Sequence, residues 1–504
     1  MLNIAGAPAS TETQGIYQSW VFLLIAIFTV SIALAFVGCG SNETGEALIL
    51  EEAVLDVDGH QVVVLQGNLT ARTDSELSQL SENIELILKD ENLTAYARQE
   101  LEGDLNQLSY ERQLRSLLSE PDSPNWHLSE TYEYLLRGAV FVKNGAILTI
   151  EPGVKIYGEQ ATNGTLIIAQ GSKIMAEGTE SAPIVMSSDA FEGSRARGQW
   201  GGLIINGSAP TNQGVTFGEG DTGAFGGNDP TDSSGVLRYV RVEYAGIEFS
   251  PDNELNGIAF QGVGSGTVVD HVQVHMNQDD GVEMFGGTVN LKYVMVTGAR
   301  DDSFDWTDGW TGKAQFLVVQ QYGDDADNGF EVDNSSKDNE ATPRSAATIY
   351  NATLVGDPAG QESDNGMLIR EGAAGTFANF IVIGFNKVGL DINNEATHAQ
   401  ATGGKLVVKN SIFFENRKGN FGDEKDDDGF DEAGFAAANN NKEIDPRLVA
   451  PFNKSAPNFT PGAGAKAVTP ANPPSDGFFE QVDFVGGVSP SNNWTTGWTT
   501  SAQR

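Results

Sequence analysis

A phrase of five residues that returns six times between residues 256 and 392 constrains the fold of this chain more than any other feature. In each copy two apolar residues are separated by one residue, so their side chains share one face of a β-strand and the middle side chain lies on the other. A small residue near the start of each copy recurs after 24, 22, 26, 37 and 23 residues. The copies are Asn256–Phe260, Asp280–Met284, Asp302–Trp306, Asn328–Val332, Asn365–Ile369 and Val388–Ile392.

The length of this repeat selects the architecture. We call one turn of a solenoid a coil. A coil of about 22–25 residues accommodates three short strands and their turns, and repeats of this length are typical of solenoids. It leaves no room for the helix of an ordinary parallel crossover, which needs a dozen residues or more. The sequence therefore predicts an all-β fold, a right-handed parallel β-helix.

Charge and cysteine content exclude several classes of function. The chain has 504 residues, a formal net charge of −39 and a single Cys. Nucleic-acid binding requires basic residues against the phosphates, so we expect no nucleic-acid partner. One Cys excludes an internal disulfide and a cysteine-rich metal site. The charge favours cations, basic partners or simple solubility.

An uncharged, mostly apolar run from Trp20 to Gly38 precedes the only Cys, Cys39. This arrangement resembles a bacterial lipoprotein signal, which implies cleavage before Cys39, lipidation of Cys39 and a membrane partner through the lipid. Gly40 after the Cys implies, by the same resemblance, the outer membrane. The alternative is a transmembrane anchor, because the run is about long enough to span a bilayer. Either alternative places the rest of the chain outside the cytoplasm.

The sequence after the apolar run predicts helices between Asp74 and Glu120. Between Asp74 and Glu120 leucine and isoleucine residues recur at three- and four-residue spacing, with a break at Glu91 and Asn92. A spacer or an N-terminal cap for the solenoid fits this helical hairpin better than a coiled coil for a partner, because the heptads are too few.

Several phrases resemble bacterial cell-surface lipoproteins of the pectate-lyase-like β-helix superfamily. They lie at residues 145–153, 173–179, 198–207, 234–246 and 279–287, in the same order as in that family. The resemblance runs from about Arg137 to the C-terminus. It implies the fold and a location in the cell envelope, at the outer membrane or cell surface, but no settled biochemical activity.

These signals divide the chain into four parts. Residues 1–39 form the signal peptide or anchor, 40–125 the spacer with its helical hairpin, 126–415 the parallel β-helix, and 416–504 a terminal coil and C-terminal cap. The segment Gln213–Ser234 is rich in Gly, Asp and Asn without apolar periodicity. We expect it to project as a loop, a binding element or a tolerated insertion.

Acidic residues repeat with the coils. Equivalent positions in neighbouring coils lie about 4.8 Å apart, where two like charges repel by about 1 kcal/mol in water and about 3 kcal/mol near a protein surface. Hard carboxylate oxygens suit Ca²⁺. The alternative is that the turn residues cap backbone amides. The candidate Ca²⁺ ligands are Asp279, Asp280, Glu283, Asp301, Asp302, Asp305, Asp327 and Glu331.

Two further metal motifs are weak. The acidic run Glu424–Glu432 begins like an EF-hand loop but has Phe435 at the twelfth position, so we read it as a solvated loop. His271 and His275 are placed by strand alternation on one face, with Gln273 between them, but no third ligand stands nearby in the sequence.

A carbohydrate ligand is the remaining expectation. Trp310 and Tyr322 lie near turns, where aromatic rings can stack on sugars, and Arg370 and Lys387 are the basic residues nearest the acidic rows. We expect a binding or structural role, with polysaccharide as the ligand. The alternatives are a Ca²⁺-dependent polysaccharide lyase or glycosidase, and an adhesin or partner of envelope proteins that acts through the Gln213–Ser234 loop.

Overall fold

The computed structural model describes residues 53–57, 60–89, 93–119, 123–250, 253–422 and 429–503. One sheet of 26 strands dominates the structure. Its strands pair in parallel, except that β1 pairs with β2 in an antiparallel arrangement. The elements in chain order are β1 (Val54–Val57), β2 (His60–Thr70), α1 (Asp74–Ile87), α2 (Ala95–Leu118), β3 (Asn125–Leu128), β4 (Glu133–Lys143), β5 (Ile147–Ile150), β6 (Lys155–Gly158), β7 (Thr165–Ile168), β8 (Lys173–Glu177), β9 (Ile184–Ser188), β10 (Gly202–Asn206), β11 (Thr216–Phe217), β12 (Ala224–Phe225), β13 (Gly235–Glu243), β14 (Glu248–Ser250), β15 (Asn253–Glu254), β16 (Ile258–Gln261), β17 (Val268–His275), β18 (Val282–Phe285), β19 (Asn290–Thr297), β20 (Phe304–Thr307), β21 (Lys313–Gln320), β22 (Phe330–Val332), β23 (Ala346–Val355), β24 (Met367–Ile369), β25 (Ala374–Ala378), β26 (Ile381–Ile383), β27 (Val388–Ile392), α3 (Glu395–Thr402), β28 (Leu406–Lys409), β29 (Ile412–Phe414), β30 (Gly419–Phe421) and α4 (Glu432–Ala438).

The strand pairings arrange the coils into three columns, which confirms the predicted parallel β-helix. Column 1 is built from the second halves of β2 and β4, followed by β7, β10, β16, β18, β20, β22, β24, β27 and β30. Column 2 contains β3, β5 and β8, the first halves of β13, β17, β19, β21 and β23, and then β25 and β28. Column 3 contains the first halves of β2 and β4, then β6 and β9, the second halves of the same five long strands, and then β26 and β29.

The long strands bend between columns 2 and 3 at a residue with positive φ. His271 occupies this position in β17, with φ 56°. The bend interrupts the regular alternation of side chains along β17, but Val272 and Val274 belong to the interior core and His271 and His275 both contact the C-terminal segment on the outer side, as strand alternation predicts. The equivalent residues in neighbouring coils are Tyr239, Tyr293, Phe316, Asn351, Asn379 and Asn410.

The interior of the solenoid is a continuous apolar core in the predicted register. Phe304 and Phe330 pair in adjacent coils and are fully buried, with ring centroids 5.4 Å apart. The strand residues between such positions face outward and form one row of column 1, comprising Ala259, Glu283, Asp305, Glu331, Leu368 and Asp391.

The two predicted helices lie between β2 and β3 and cover the first coils; β2 already pairs in parallel with β4, so the solenoid sheet begins before residue 126, inside the segment predicted to be a spacer. Thr73 and Glu76 form a capping box at the start of α1, and the Thr94 side chain caps α2. Leu114 and Leu118 of α2 belong to the same apolar core as the first coils. None of the helices among the described residues is long and apolar enough to span a membrane.

The outer face of column 3 is also buried, and the sequence analysis missed this. Residues 442–503 run along this face, and a second apolar cluster fills the interface, including Met295, Val318, Ile381 and Val485. Gln273 is therefore fully buried, although it lies on the outer face of its strand. Uninterrupted apolar runs such as Val294–Val296 and Ile381–Ile383 are the signal, because strands buried on both faces do not alternate.

Candidate functional site

The predicted acidic rows come together on the outer face of column 1. Glu283, Asp305 and Glu331 are register partners on β18, β20 and β22, and an acidic pair or an Asp–Asn pair lies at the turn before each strand. We call the eight candidate ligands the acidic wall: Asp279, Asp280, Glu283, Asp301, Asp302, Asp305, Asp327 and Glu331.

Three overlapping sets of three carboxyl groups in the acidic wall have oxygens close enough to share an ion. Within each set the chosen oxygens lie within 4.8 Å of one another. The first set shares Asp280 with the second and Asp301 with the third, so the three sets form a continuous strip across three coils. The sets are Asp279, Asp280 and Asp301; Asp280, Glu283 and Asp305; and Asp301, Asp302 and Asp327.

The inner acids of the turns also cap backbone amides, which is the structural alternative that the sequence left open. Oδ1 of Asp280 accepts a hydrogen bond from the backbone N–H of Asp302 at 3.0 Å, and Oδ1 of Asp302 accepts one from Asn328 at 2.6 Å. Asn365 continues this ladder by accepting from Val388 at 3.3 Å. Capping and cation binding are compatible, because each carboxylate has two oxygens.

Burial and mutual repulsion make full ionisation of the acidic wall costly. Burial, together with the neighbouring carboxylates, raises the pKa of Asp279 to about 7 and that of Asp327 to about 7. The same two causes raise the pKa values of Glu283 and Asp305 well above their ordinary range. A bound cation or bound protons would relieve this repulsion.

The segment Gln213–Ser234 forms one side of the site instead of projecting, so the expectation of a projecting loop is wrong. Its antiparallel strands β11 and β12 fold back over column 1. Gln213 donates from Nε2 to Oδ1 of Asp308 at 2.6 Å, and the Phe225 ring contacts Phe285. Two acids that the sequence analysis missed, Glu219 of this segment and Glu254 of β15, add to the charge that raises the pKa of Asp279.

Arg370 closes one end of the strip. Its Nε lies 3.0 Å from Oδ1 of Asp333, and its guanidinium also pairs with Glu331. Burial opposes the charged guanidinium, but these carboxylates outweigh burial and raise the pKa of Arg370 above its ordinary value. Asp333 was missed, although it stands two residues after Glu331 and the alternation of a strand predicts that the two share a face.

Lys387 lies in the same region but is also held by a carboxylate. Its Nζ is 2.5 Å from Oδ2 of Asp364, one coil before it. The structure therefore brings both predicted basic residues to the edge of the acidic wall, each in an ion pair.

The two predicted sugar-stacking rings do not reach the surface. Trp310 is fully buried in the interior of the solenoid, where its Nε1–H donates to the carbonyl of Val289. Tyr322 is 3% exposed, and the ammonium group of Lys454 lies over its ring. The expectation that these rings stack on carbohydrate is wrong, because both rings are covered by the protein itself.

The histidine pair is not arranged for metal binding. The His271 ring stacks between Tyr239 and Tyr293, with centroid distances of 4.5 and 4.4 Å. His275 is fully buried, and its two ring nitrogens contact Thr297 and the carbonyl of Ala502. Both rings have packing partners, and neither belongs to the sets of potential metal ligands found among the described residues.

Two sequence predictions lie outside the described residues. Cys39 precedes them, and most of the acidic run Glu424–Glu432 falls in the gap between residues 422 and 429. Lipidation of Cys39 therefore stays a prediction, as does the solvated state of that run.

Comparison with known proteins agrees with the geometry of the fold. A family model described as a pectate-lyase-like β-helix domain matches residues 121–499, which is well over half of the chain. A search of curated proteins gives no significant match. A search of solved structures gives none either. The matched span includes all three columns, the acidic wall and most of the C-terminal segment, so the chain belongs to the family of pectate-lyase-like β-helix domains.

Proposed function

We propose that this protein is a surface-anchored binding protein whose acidic wall holds divalent cations, Ca²⁺ first among them, and through them an anionic polysaccharide. The observation that carries the proposal is the strip of three overlapping carboxyl sets, each with oxygens within 4.8 Å. Ca²⁺ takes six to eight oxygen ligands in flexible geometry, which suits carboxylates contributed by successive coils.

The electrostatics support a cation at this face. The wall stands on a rigid sheet, so its carboxylates cannot move apart to relieve their repulsion of about 3 kcal/mol per neighbouring pair near a protein surface. Arg370 shows how the fold handles the same problem at one end, where a guanidinium pairs with Glu331 and Asp333. A Ca²⁺ ion would neutralise Glu283 and Asp305 in the way that the guanidinium of Arg370 neutralises Glu331.

The ligand class follows from the sign of the charge. A bare acidic wall repels uronate polymers, whereas a wall loaded with Ca²⁺ offers open coordination positions to their carboxylates. We favour binding over cleavage because a lyase needs a basic residue to abstract a proton. Arg370 and Lys387, which the sequence placed nearest, are both paired with carboxylates.

The experiment separates cation binding from polymer binding and from cleavage. Calorimetric titration of chelator-stripped protein with Ca²⁺ should show saturable binding, and Glu283→Gln with Asp305→Asn should abolish most of it. Glu102→Gln, an exposed acid on α2, is the matched control and should bind as the wild type does.

A panel of uronate polymers is then tested with Ca²⁺ and with EGTA. The proposal predicts polymer retention that depends on Ca²⁺, with no rise in ultraviolet absorbance. A rise from unsaturated product would establish the lyase instead. Absence of Ca²⁺ binding in the wild type would leave backbone capping as the role of the acidic wall.

A further inference from the structure

The antiparallel strands β11 and β12 border the acidic wall on the side of the earlier coils. Just before β12, the carbonyl of Thr222 accepts a hydrogen bond from Nδ2 of Asn206 on β10 at 2.7 Å. Just before β11, Gln213 donates to Asp308, which follows β20. Because β10 belongs to an early coil and β20 to a coil of the acidic wall, β11 is the strand of this hairpin that lies nearer to the wall.

The hairpin is fixed to column 1 by close packing. A Cβ atom added to Gly218, directly after β11, would lie 2.3 Å from Oε1 of Gln261, whose side chain is 2% exposed. The backbone of the hairpin therefore packs directly on the buried Gln261 side chain. The Phe225 ring is also buried, and its centroid lies 6.2 Å from that of Phe285. A side chain on β11 thus has a defined position relative to the wall.

Phe217 stands on the outer face of the hairpin. Thr216 pairs with Phe225, and Phe217 pairs with Ala224. Paired residues of antiparallel strands share a face and successive residues alternate, so the Phe217 ring lies on the face opposite to that of the inward-facing Phe225. Phe217 is 65% exposed, and Val215, two residues before it, is 66% exposed. These two side chains form an apolar surface that the described part of the chain leaves open.

The same end of the hairpin lies within electrostatic range of the acidic wall. Glu219 follows Phe217 by two residues, which span at most about 7 Å of chain. Burial, together with the charges of neighbouring carboxylates that include Glu219, raises the pKa of Asp279 to about 7 and the pKa of Glu283 well above its ordinary range. The Phe217 ring and the carboxylates of the wall therefore border the same surface.

A polymer of uronic acids matches both features. Its carboxylate groups suit cations held by the acidic wall, and the C–H faces of its pyranose rings suit the face of an aromatic ring. Ca²⁺ coordinates carboxylates of any kind, so the wall by itself does not distinguish a sugar polymer from another polycarboxylate. A ring at the border of the wall supplies that distinction.

We propose that Phe217 stacks on a pyranose ring of the anionic polysaccharide and thereby gives the site its selectivity for carbohydrate. The inference rests on the proposed function, since the cations of the acidic wall hold the carboxylates of the same polymer. Val215 extends the apolar surface beside the ring. Phe217 takes the role that the sequence assigned to Trp310 and Tyr322, which are both buried.

The test compares sugar polymers with a polyanion that has no sugar rings. The full chain is immobilised in Ca²⁺ buffer, and its binding of polygalacturonate, alginate and polyglutamate is measured. Phe217→Ala should weaken the binding of polyuronate about tenfold, because it removes the burial of a Phe side chain against the polymer. It should leave polyglutamate binding and the calorimetric titration with Ca²⁺ unchanged. Phe217→Trp should bind polyuronate as the wild type does.

The matched control is Phe191→Ala, which removes a ring that is 82% exposed on the loop between β9 and β10. It should change neither polymer binding nor Ca²⁺ binding. Thermal unfolding should give the same Tm for Phe217→Ala and the wild type, because the Phe217 side chain is mostly exposed.

Failure of the inference and failure of the proposed function give different results. A wild type that binds no polyuronate in Ca²⁺ overturns both. Equal Ca²⁺-dependent binding of polyuronate by the wild type and Phe217→Ala overturns only the role of Phe217. Equal losses of polyuronate and polyglutamate binding in Phe217→Ala would show that the ring does not recognise sugar. Dimers that form in the wild type but not in Phe217→Ala would assign the ring to a contact between copies and overturn the inference.

Discussion

Glu283 and Asp305 pair in register on adjacent strands of column 1, and their carboxyl groups belong to one set of oxygens within 4.8 Å. Glu283 is 8% exposed, and the amide of Asn256 donates to its carboxylate. Two acids so placed cannot both stay ionised without a compensating cation, and this relationship leads to the first prediction.

Asp305→Asn should change stability in opposite directions with and without Ca²⁺. In EGTA the substitution removes one of two buried carboxyl groups that cannot both ionise, so Tm should rise. With Ca²⁺ a hundredfold above its Kd, the wild type gains about 2.7 kcal/mol that the variant loses at least in part. Thermal unfolding in both buffers measures whether the Tm difference between Asp305→Asn and the wild type changes sign. Glu102→Gln should show no such change. Curves that EGTA leaves unchanged for the wild type would contradict bound Ca²⁺.

Arg370→Leu should convert one end of the acidic wall into an additional cation site. In EGTA the variant should lose about 2 kcal/mol, because hydrogen bonds to charged groups contribute about 1.5–3 kcal/mol and this site is partly exposed. Added Ca²⁺ should restore much of the loss by neutralising Glu331 and Asp333. Arg344→Leu, which removes a guanidinium paired with Glu340 on a different turn, is the control and should show no rescue. Equal rescue of Arg370→Leu and Arg344→Leu by Ca²⁺ would contradict an additional cation site at the acidic wall.

His275 should make stability fall as the solution is acidified. Burial lowers the pKa of His275 to about 4, against an ordinary value of 6.5, and the nearby Arg241 and Arg197 act in the same direction. Below pH 6.5 this histidine therefore binds a proton in the unfolded chain but stays neutral in the folded chain. Stability is lost between about pH 6.5 and pH 4. The loss approaches about 3 kcal/mol at most, because each pKa unit corresponds to about 1.4 kcal/mol.

Denaturant unfolding across this pH range measures the effect. The stability of the wild type relative to that of His275→Gln should fall between about pH 6.5 and pH 4, even though the variant is less stable at neutral pH. His127→Gln, which changes an exposed histidine on β3, is the control and should keep the wild-type slope. Parallel curves for the wild type and His275→Gln would contradict the prediction.

Phe330→Ala should destabilise the central coils by about 3–5 kcal/mol, because it leaves a cavity in a fully buried apolar stack. Gln273→Leu should also cost stability, since it removes both hydrogen bonds to Thr500. Phe191→Ser is the surface control, because the Phe191 side chain is 82% exposed. Chemical denaturation of the three variants gives the comparison. A negligible effect of Phe330→Ala would place the inward and outward faces one residue out of register.

Cys39→Ser should abolish lipid labelling and processing, because Cys39 is the only Cys and ends the apolar run. Metabolic incorporation of a labelled fatty acid measures this directly, and Ser41→Ala should still incorporate it. A wild-type protein that takes up no fatty acid would indicate a plain transmembrane anchor.

The sequence by itself determined the solenoid, its register and the row of acids. A period of two inside each phrase and a period of about 23 between phrases leave one way to bury Phe304 and Phe330 while placing Glu283, Asp305 and Glu331 outside. Both kinds of information are local, because they depend on residues within one coil and on the equivalent residues of the next. The match to the pectate-lyase-like β-helix domain agrees with that fold.

Only the tertiary structure decided what covers the solenoid. Gln273, Tyr322 and His275 read as surface residues because nothing in the local sequence indicates that residues 132 to 227 positions later lie over them. The segment Gln213–Ser234 likewise reads as a projecting loop until Gln213 is seen to bond Asp308. Contacts of such long sequence separation leave no periodic trace, because they depend on irregular chain whose path is fixed by the surface on which it packs.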